Sequence, residues 1–263
     1  MRTSKGKVIV TDGGFPQEEL TLRGFIGALG NQVDAWFISH PHDDHFGALI
    51  EILKNPQHMR IKSIIHSRLP EAVLKAEPQS EKLAREFYTL LQNLKDTQVF
   101  DIQQPGDVFR YDDMLVKVLG VANDFTGNPY NNSSMIYRVW DRRKSILFLG
   151  DAGVECGQKV LDGPFRSELD CEYIQMAHHG QGCVNRDCYA AIQPTYCLWP
   201  TPSWLWDNMG PGGYDTGIFG TDLLCKVLSE TKNYDLLFKL LSGEEYGTFG
   251  FMKKHGATTL WEK

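Results

Sequence analysis

Six consecutive residues, His40-Pro41-His42-Asp43-Asp44-His45, restrict this chain to folds that end a strand in a ligand cluster. Three of its eight histidines fall in that window, with carboxylates between them. Imidazole and carboxylate are the side chains that hold Zn, Mn or Fe, and strand alternation puts His40 and His42 on one side of an extended segment. Asp34-Ala35-Trp36-Phe37-Ile38-Ser39 reads as a buried strand leading in, and Phe46 to Leu53 as a helix leading out. Ligands at the carboxyl end of a strand are where α/β sheets place their chemistry. The bland alternative is a polar strand-to-helix turn with unrelated histidines.

Length and composition narrow the class. At 263 residues the chain fits one large α/β domain or two small ones, with ample apolar content for a core. No run approaches the roughly 18 apolar residues of a membrane span. The start, Met1-Arg2-Thr3-Ser4-Lys5-Gly6-Lys7, lacks the apolar stretch of a secretory signal. A formal charge of −6 provides no basic stripe for tight non-specific binding of nucleic acid, but leaves room for a phosphate-bearing substrate held by metal ions. The six cysteines, Cys156 to Cys225, contain no CxxC pair, which argues against a zinc ribbon. Cys183 and Cys188 are spaced loosely like a metal or disulfide pair, against the plainer reading of reduced thiols near a core. A cytoplasmic protein is expected.

Along the chain, strand and helix patterns alternate. Val8 to Thr11 reads as a strand ending at the tight turn Asp12-Gly13-Gly14, and a helix runs from Glu18 to Leu29, stopping at Gly30-Asn31. A strand at Ile61 to Ile65 and a helix at Ser80 to Leu94 follow. From Asp107 the character turns to β, with strands at Met114 to Val121, Ser134 to Trp140 and Ser145 to Leu149. A helix near Gly157 to Leu161 leads to a strand at Tyr173 to Ala177. Two β-rich stretches flanked by helices predict a four-layer αββα sandwich formed by residues 1–263 as a single domain. The first strand follows Arg2 to Lys7, which looks like the second half of a hairpin whose partner strand lies upstream of Met1, as in a truncated fragment. The alternative is a bare sheet edge open to pairing with another chain and hence to oligomerisation.

Further ligands stand at other strand ends. Leu147-Phe148-Leu149-Gly150-Asp151 delivers a carboxylate and Met176-Ala177-His178-His179-Gly180 delivers imidazole. Taken singly, a Gly-Asp step is usually a turn and paired histidines are often surface residues. Their order after the first motif points to a shared site.

With these residues in view, the series Asp12-Gly13-Gly14, His40 to His45, Gly150-Asp151 and His178-His179-Gly180 resembles the metallo-β-lactamase hydrolase superfamily. Within it, Ser39 to Gly47, Asn131-Asn132-Ser133-Ser134 and Ala177 to Gly180 resemble the hydrolase domain of bacterial competence DNA-uptake channels (ComEC-like), over residues 2–250. The resemblance implies two divalent metal ions, with zinc expected and Mn or Fe as alternatives. His40 and His42 would hold the first, Asp44 and His45 the second, with Asp151 bridging and His179 completing the set. His178 would then be an outer residue or a proton donor to the leaving group. Asp12 would orient ligand side chains through hydrogen bonds, unless it merely caps its turn. The chain departs from the wider family in having no histidine between His66 and His178. Asn132 stands in roughly that region and is a poor zinc ligand, which puts the metal's identity and stoichiometry in question. Asn132 and Ser134 are candidates for orienting substrate oxygens, or for plain turn and strand roles.

Two cations about 3.5–4 Å apart acidify water toward hydroxide and neutralise charge on the attacked oxygen. Such a site cleaves phosphodiesters, lactones, thioesters or β-lactams, and the fold alone does not choose. The stretch Tyr196 to Tyr214 carries Trp199, Trp204 and Trp206 among prolines and glycines, and reads as a substrate-lining loop, a packed lid or a dimer contact. The leading expectation is a metal-dependent phosphodiester or phosphoester hydrolase. Lactone, thioester or other carboxylic ester hydrolysis is the alternative, and a non-catalytic metal-containing binding module stands as the second class.

Overall fold

The computed structural model describes residues 1–201 and the isolated positions 229, 234, 235, 238, 242 and 254. The first half supplies β1 (Ile9–Thr11), α1 (Glu19–Ala28), β2 (Gln32–Val33), β3 (Ala35–Phe37), α2 (Asp43–Lys54), β4 (Arg60–Ile61), β5 (Ser63–His66), α3 (Glu71–Ala76), α4 (Pro78–Asn93) and β6 (Gln98–Asp101). β1, β3, β5 and β6 form a parallel sheet in the order β1-β3-β5-β6, and β2 pairs with β4 beside it. The second half supplies β7 (Val108–Tyr111), β8 (Met114–Gly120), β9 (Ile136–Trp140), β10 (Ser145–Phe148), α5 (Val154–Leu161), β11 (Tyr173–Gln175), α6 (Arg186–Ile192) and β12 (Tyr196–Leu198). These strands make a six-stranded sheet in the order β12-β11-β10-β9-β8-β7, antiparallel from β7 to β10 and parallel from β10 to β12.

Three separate apolar clusters fill the three spaces of an αββα sandwich, and strand alternation sends neighbouring residues into different ones. Trp36 of β3 faces Phe46, Leu49 and Phe87 of the helices over the first sheet. Its neighbours Ala35 and Phe37 face the other way, between the sheets, with Val116, Val118, Tyr137 and Val139. Ile136 and Leu147 turn from the second sheet onto Cys156, Val160 and Ile192 of α5 and α6. Phe37 sits at the centre of the middle layer, stacked on Tyr137 at 5.1 Å and edge-on to Phe109 at 5.8 Å.

The first strand departs from its sequence reading. Its partner lies within the chain rather than upstream of it: Ile9 N donates to Met1 O at 2.9 Å, Thr3 N donates to Lys7 O at 2.9 Å, and Arg2 bridges Val8. Gly6, at φ +92°, makes the reversal, and Thr3 Oγ1 pins it to Asp112 at 2.6 Å. Residues 1–3 therefore cover the edge of β1 that the sequence left bare. The aromatic stretch from Tyr196 also begins differently, as edge strand β12 with Tyr196 stacked on Tyr173 at 4.8 Å. The rest of that stretch, Trp204 and Trp206 included, lies outside the described residues. Among the described residues no helix is long and apolar enough to cross a membrane. All five described cysteines are free thiols, Cys183 and Cys188 among them.

Phe37→Ala should destabilise the protein by about 3–5 kcal/mol, because it empties the middle layer. Phe25→Ala, on an α1 side chain that is 70% exposed, should stay within about 0.5 kcal/mol. Equilibrium urea unfolding of the two variants checks the contrast.

Candidate metal centre

The candidate ligands come from the carboxyl ends of parallel strands in both sheets. β1 ends at Asp12, β3 runs out through Ser39 to His40 and His42, and α2 begins at Asp43, so Asp44 and His45 lie in its first turn. β10 delivers Asp151 and β11 delivers His178 and His179. Gly150 lets these segments meet: its φ is +55°, and a Cβ there would lie 2.7 Å from Ser39 Cβ and 2.9 Å from Ser134 Oγ. The β11 exit is a strained kink rather than a plain strand end, with His178 and His179 both left-handed at φ 49° and 54°. Such non-glycine conformations cost on the order of 1–3 kcal/mol each and persist only where the surroundings enforce them. Enforcement comes from His178 N donating to Gly150 O at 3.1 Å. Gln175 adds to it, its Oε1 accepting from Leu149 N and Gly150 N at 2.9 Å each.

Asp44, His45, Asp151 and His179 each offer one ligand atom, and these four atoms lie within 4.8 Å of one another. His40 and His42 adjoin them: the His40 and His45 ring centroids are 4.2 Å apart, and His40 Nε2 lies 3.0 Å from His42 Nδ1.

Whether this set fits a cation depends on where its protons are. His45 Nδ1 lies 2.9 Å from Asp12 Oδ2, and a carboxylate only accepts, so the proton sits on Nδ1 and the lone pair on Nε2. That Nε2 is buried without a hydrogen-bond partner, 3.2 Å from Asp151 Oδ1, which is itself buried and unpartnered. His179 Nδ1 donates to Pro200 O at 2.6 Å, so its Nε2, the nitrogen free to ligate once deprotonated, faces Asp44 Oδ2 at 3.1 Å and Asp151 Oδ2 at 3.4 Å. Ser39 Oγ gives its proton to Asp12 at 2.8 Å, so it accepts from His40 Nδ1 at 3.0 Å and leaves His40 Nε2 bare. His42 Nε2 donates to Glu77 Oε1 at 2.6 Å, leaving its Nδ1 bare and facing His40. One nitrogen of each imidazole is spent on a neighbour, and the others converge with the Asp44 and Asp151 oxygens on a space that a proton or a cation must fill. The residues present fit divalent cations.

The protonation directions express the same demand. Burial lowers the His179 imidazole, but hydrogen bonds to Asp151 and Asp44 outweigh it and push the group up to about 10. His45 is held well above its usual value, since Asp151 and Asp12 overcome its desolvation. Burial raises the Asp151 carboxyl, yet the charge of His45, the hydrogen bond of His179 and the charge of His40 hold it well below the usual carboxylate range. His40, wholly buried, is pushed well down by desolvation and by His45.

Several sequence-predicted residues take other positions. Asn132 is fully buried and spent on the fold: Oδ1 accepts from Cys156 N at 3.2 Å in the first turn of α5, and Nδ2 donates to Gly127 O and Glu155 Oε2 at 2.8 and 2.9 Å. It neither replaces a third histidine nor reaches substrate. Ser134, also fully buried, accepts from Asp151 N at 3.0 Å and so positions the carboxylate rather than substrate oxygens. Trp199 packs under Gly180 and donates from Nε1 to His179 O. His178 stands on the rim, its Nδ1 donating to Gly182 O at 2.7 Å and its Nε2 3.3 Å from Asn131 Nδ2 and 4.0 Å from Asp151 Oδ2.

Sequence reading gave no role to Ser39, Gln175, Asn131 or Glu77. Ser39 and Asn131 adjoin recognised motifs and were accessible to inspection. Gln175 and Glu77 carry no local signal, because their contacts join segments 25 and 35 residues apart.

Comparison with known proteins gives two separate matches. The metallo-beta-lactamase superfamily profile matches residues 1–189, and the bacterial alpha-L-rhamnosidase 6 hairpin glycosidase domain profile matches residues 211–263. The chain is similar to ComE operon protein 3 of Bacillus subtilis, 25% identical over 210 residues that cover 72% of this chain and 25% of that protein. It is also similar to an alpha-L-rhamnosidase of Formosa agariphila, 48% identical over 48 residues that cover 18% of this chain and 5% of that protein. The chain thus spans a small part of each relative. Among solved structures, the metallo-beta-lactamase fold protein YhfI from Bacillus subtilis is similar at 13% identity and a TM-score of 0.46, covering 74% of each chain. The Rm3 metallo-beta-lactamase is similar at 16% identity and a TM-score of 0.42, covering 89% of this chain and 87% of that one.

A protonated His179 must lose its proton to ligate. Metal binding to chelator-stripped protein at pH 7.5 should therefore release at least one proton, read as a dependence of the calorimetric enthalpy on buffer ionisation enthalpy. Asp151→Asn should weaken that binding by more than about 100-fold, beyond what loss of an outer partner costs.

Proposed function

The chain belongs to the metallo-β-lactamase superfamily, and we propose that it hydrolyses a phosphodiester or phosphoester at a centre of two divalent ions. The observation that carries this reading is the convergence of potential ligand atoms from His40, His42, Asp44, His45, Asp151 and His179. His40 and His42 would hold one ion and Asp44, His45 and His179 the other, with Asp151 between them. When bound, such ions supply Lewis acidity that ionises water near neutral pH and offsets charge on the attacked oxygen. Four imidazoles with carboxylates suit zinc, and Mn or Fe are alternatives that metal analysis separates.

The protein's own groups do the rest. Asp12 holds His45 and Ser39 in place, so that two ligand-bearing segments, the His40–His42 exit of β3 and the first turn of α2, share one anchor. Ser134 and Gln175 fix the turn that presents Asp151. Hydrolysis adds water across the ester bond, and the departing alkoxide needs a proton. His178 is the donor in this reading, standing on the rim with its ring fixed by Gly182 O and Asn131. Asn131 Oδ1 is buried without a partner, so a flip of that amide would place an acceptor against a protonated His178 Nε2. The resemblance of Ser39 to Gly47, Asn131 to Ser134 and Ala177 to Gly180 to the hydrolase domain of competence DNA-uptake channels supports a phosphodiester as the substrate class. The free thiols support a reducing, cytoplasmic setting. The hydrolase reading rests on residues 1–201 and draws nothing from residues 211–263.

Turnover of bis-(p-nitrophenyl) phosphate should appear on loading stripped protein with zinc or manganese. Asp44→Ala should reduce it by more than about 100-fold. Turnover confined to a lactone or thioester panel would replace the phosphodiester reading. Metal binding without turnover of any ester would point to a binding module.

A further inference from the structure

Among the described residues the first cation position has two imidazoles, His40 and His42, and no third. Asn132 is spent on α5, and His66, the next buried imidazole, packs on Phe87 and Tyr88. His40 and His42 are left with Asp151 as the charge shared with the second position. A carboxylate outside every recognised motif stands behind His42. Glu77 is the single residue between α3 and α4, and Pro78 keeps it out of the helical region, at φ −131° and ψ 78°. That bend carries Glu77 Oε1 to 2.6 Å from His42 Nε2, across 35 residues of sequence. Ser80 Oγ, in the first turn of α4, donates to the same oxygen at 2.5 Å and fixes its direction. On another side the His42 ring lies against fully buried Tyr130, with centroids 5.3 Å apart and planes at 19°. Tyr130 is tied in turn by its hydroxyl to Leu74 O of α3 at 3.2 Å.

We propose that Glu77 is the positioning residue of the first cation position, fixing His42 in its Nε2–H tautomer so that Nδ1 joins His40 Nε2 as a ligand pair. This rests on the metal-hydrolase reading above. A carboxylate on the far nitrogen of a ligating imidazole does two things. It selects the tautomer, and it makes the ligating nitrogen a stronger base, together worth about 10–100-fold in metal affinity. Glu77 thereby returns to this position part of what the absent imidazole would supply. The reach is local: the contact touches His42 alone, so the Asp44, His45, Asp151 and His179 position is unaffected.

Two measurements test this on the full chain. Long-range 1H–15N spectra of the stripped, 15N-histidine-labelled protein should show His42 as the Nε2–H tautomer. Glu77→Ala should lose that signature, and Glu77→Gln, which keeps an accepting oxygen, should retain it. Calorimetric titration with Zn2+ should show two binding events in the wild type. Glu77→Ala should weaken one by about 10–100-fold and leave the other unchanged, with Glu77→Gln recovering part of the loss. Glu71→Ala, an exposed residue of α3 that pairs with Arg85, should change neither event, which controls for disturbance of the helix pair. Unchanged affinities in Glu77→Ala overturn the proposal, as does an equal loss from both events, which would mark a merely structural role. A wild type that binds one equivalent overturns it too. A wild type that binds none removes the metal-hydrolase reading itself.

Discussion

The structure is organised around ligand atoms that face one another and require positive charge between them. Each imidazole in the cluster has committed one nitrogen to a neighbour: His45 to Asp12, His40 to Ser39, His42 to Glu77 and His179 to Pro200. The other nitrogens and the oxygens of Asp44 and Asp151 are then forced together. In a low-dielectric setting such an arrangement is unfavourable unless a positive charge enters it. Protons meet part of the demand, which is why His45 and His179 are held above their usual values. Divalent cations meet it more fully.

The fold's local irregularities are there to bring this about. Strands of both sheets end at one edge of the sandwich, and the turns that leave them are shaped by positive-φ residues at Asp12, Gly150, His178 and His179. Only glycine fits at 150, because Ser39 and Ser134 occupy the space a side chain would need. The two histidines that adopt the same region are held by bonds to Gly150 and Trp199, and Gln175 braces them through Gly150 and Met176. Strain at β11 is thus offset by contacts with the very loop that carries Asp151.

Much of this was legible in the sequence, for a definite reason. Residues in the His40 to His45 motif are adjacent in the chain, so strand alternation and the first helical turn alone fix their relative directions. Asp151 and His179 were readable because each ends an apolar strand, and parallel strands bring such ends to a common edge. The αββα layering was readable from two β-rich stretches flanked by helices, and β3 and β9 realise it by sending alternate residues into different interlayer spaces. What stayed hidden depends on contacts that no local pattern records. Asn132 and Ser134 looked like polar groups available to substrate, yet their burial follows from α5 and Gly150 closing over them. The edge of β1 was misread because a three-residue return is too short to show alternation. Glu77 reads as one more acid in a helical region until Pro78 is seen to break that region in two.

Charge balance ties the outer residues to the inner ones. Asp44 and Asp151 face the cluster directly, while Asp12 and Glu77 act one imidazole away, so four carboxylates surround it. Two divalent cations, as proposed, would bring four positive charges, which these groups match. A phosphodiester arriving at such a centre would meet a locally neutral site rather than a basic surface, in keeping with a chain whose formal charge is −6. Attraction is then short-ranged and directional, exerted on the oxygens that reach the ions and not on the anion at a distance. That arrangement favours selection by fit at the centre over tight non-specific binding along a polyanion. It also explains why composition, which reports only the summed charge, gave no sign of the chemistry that the arrangement of a few acids makes available.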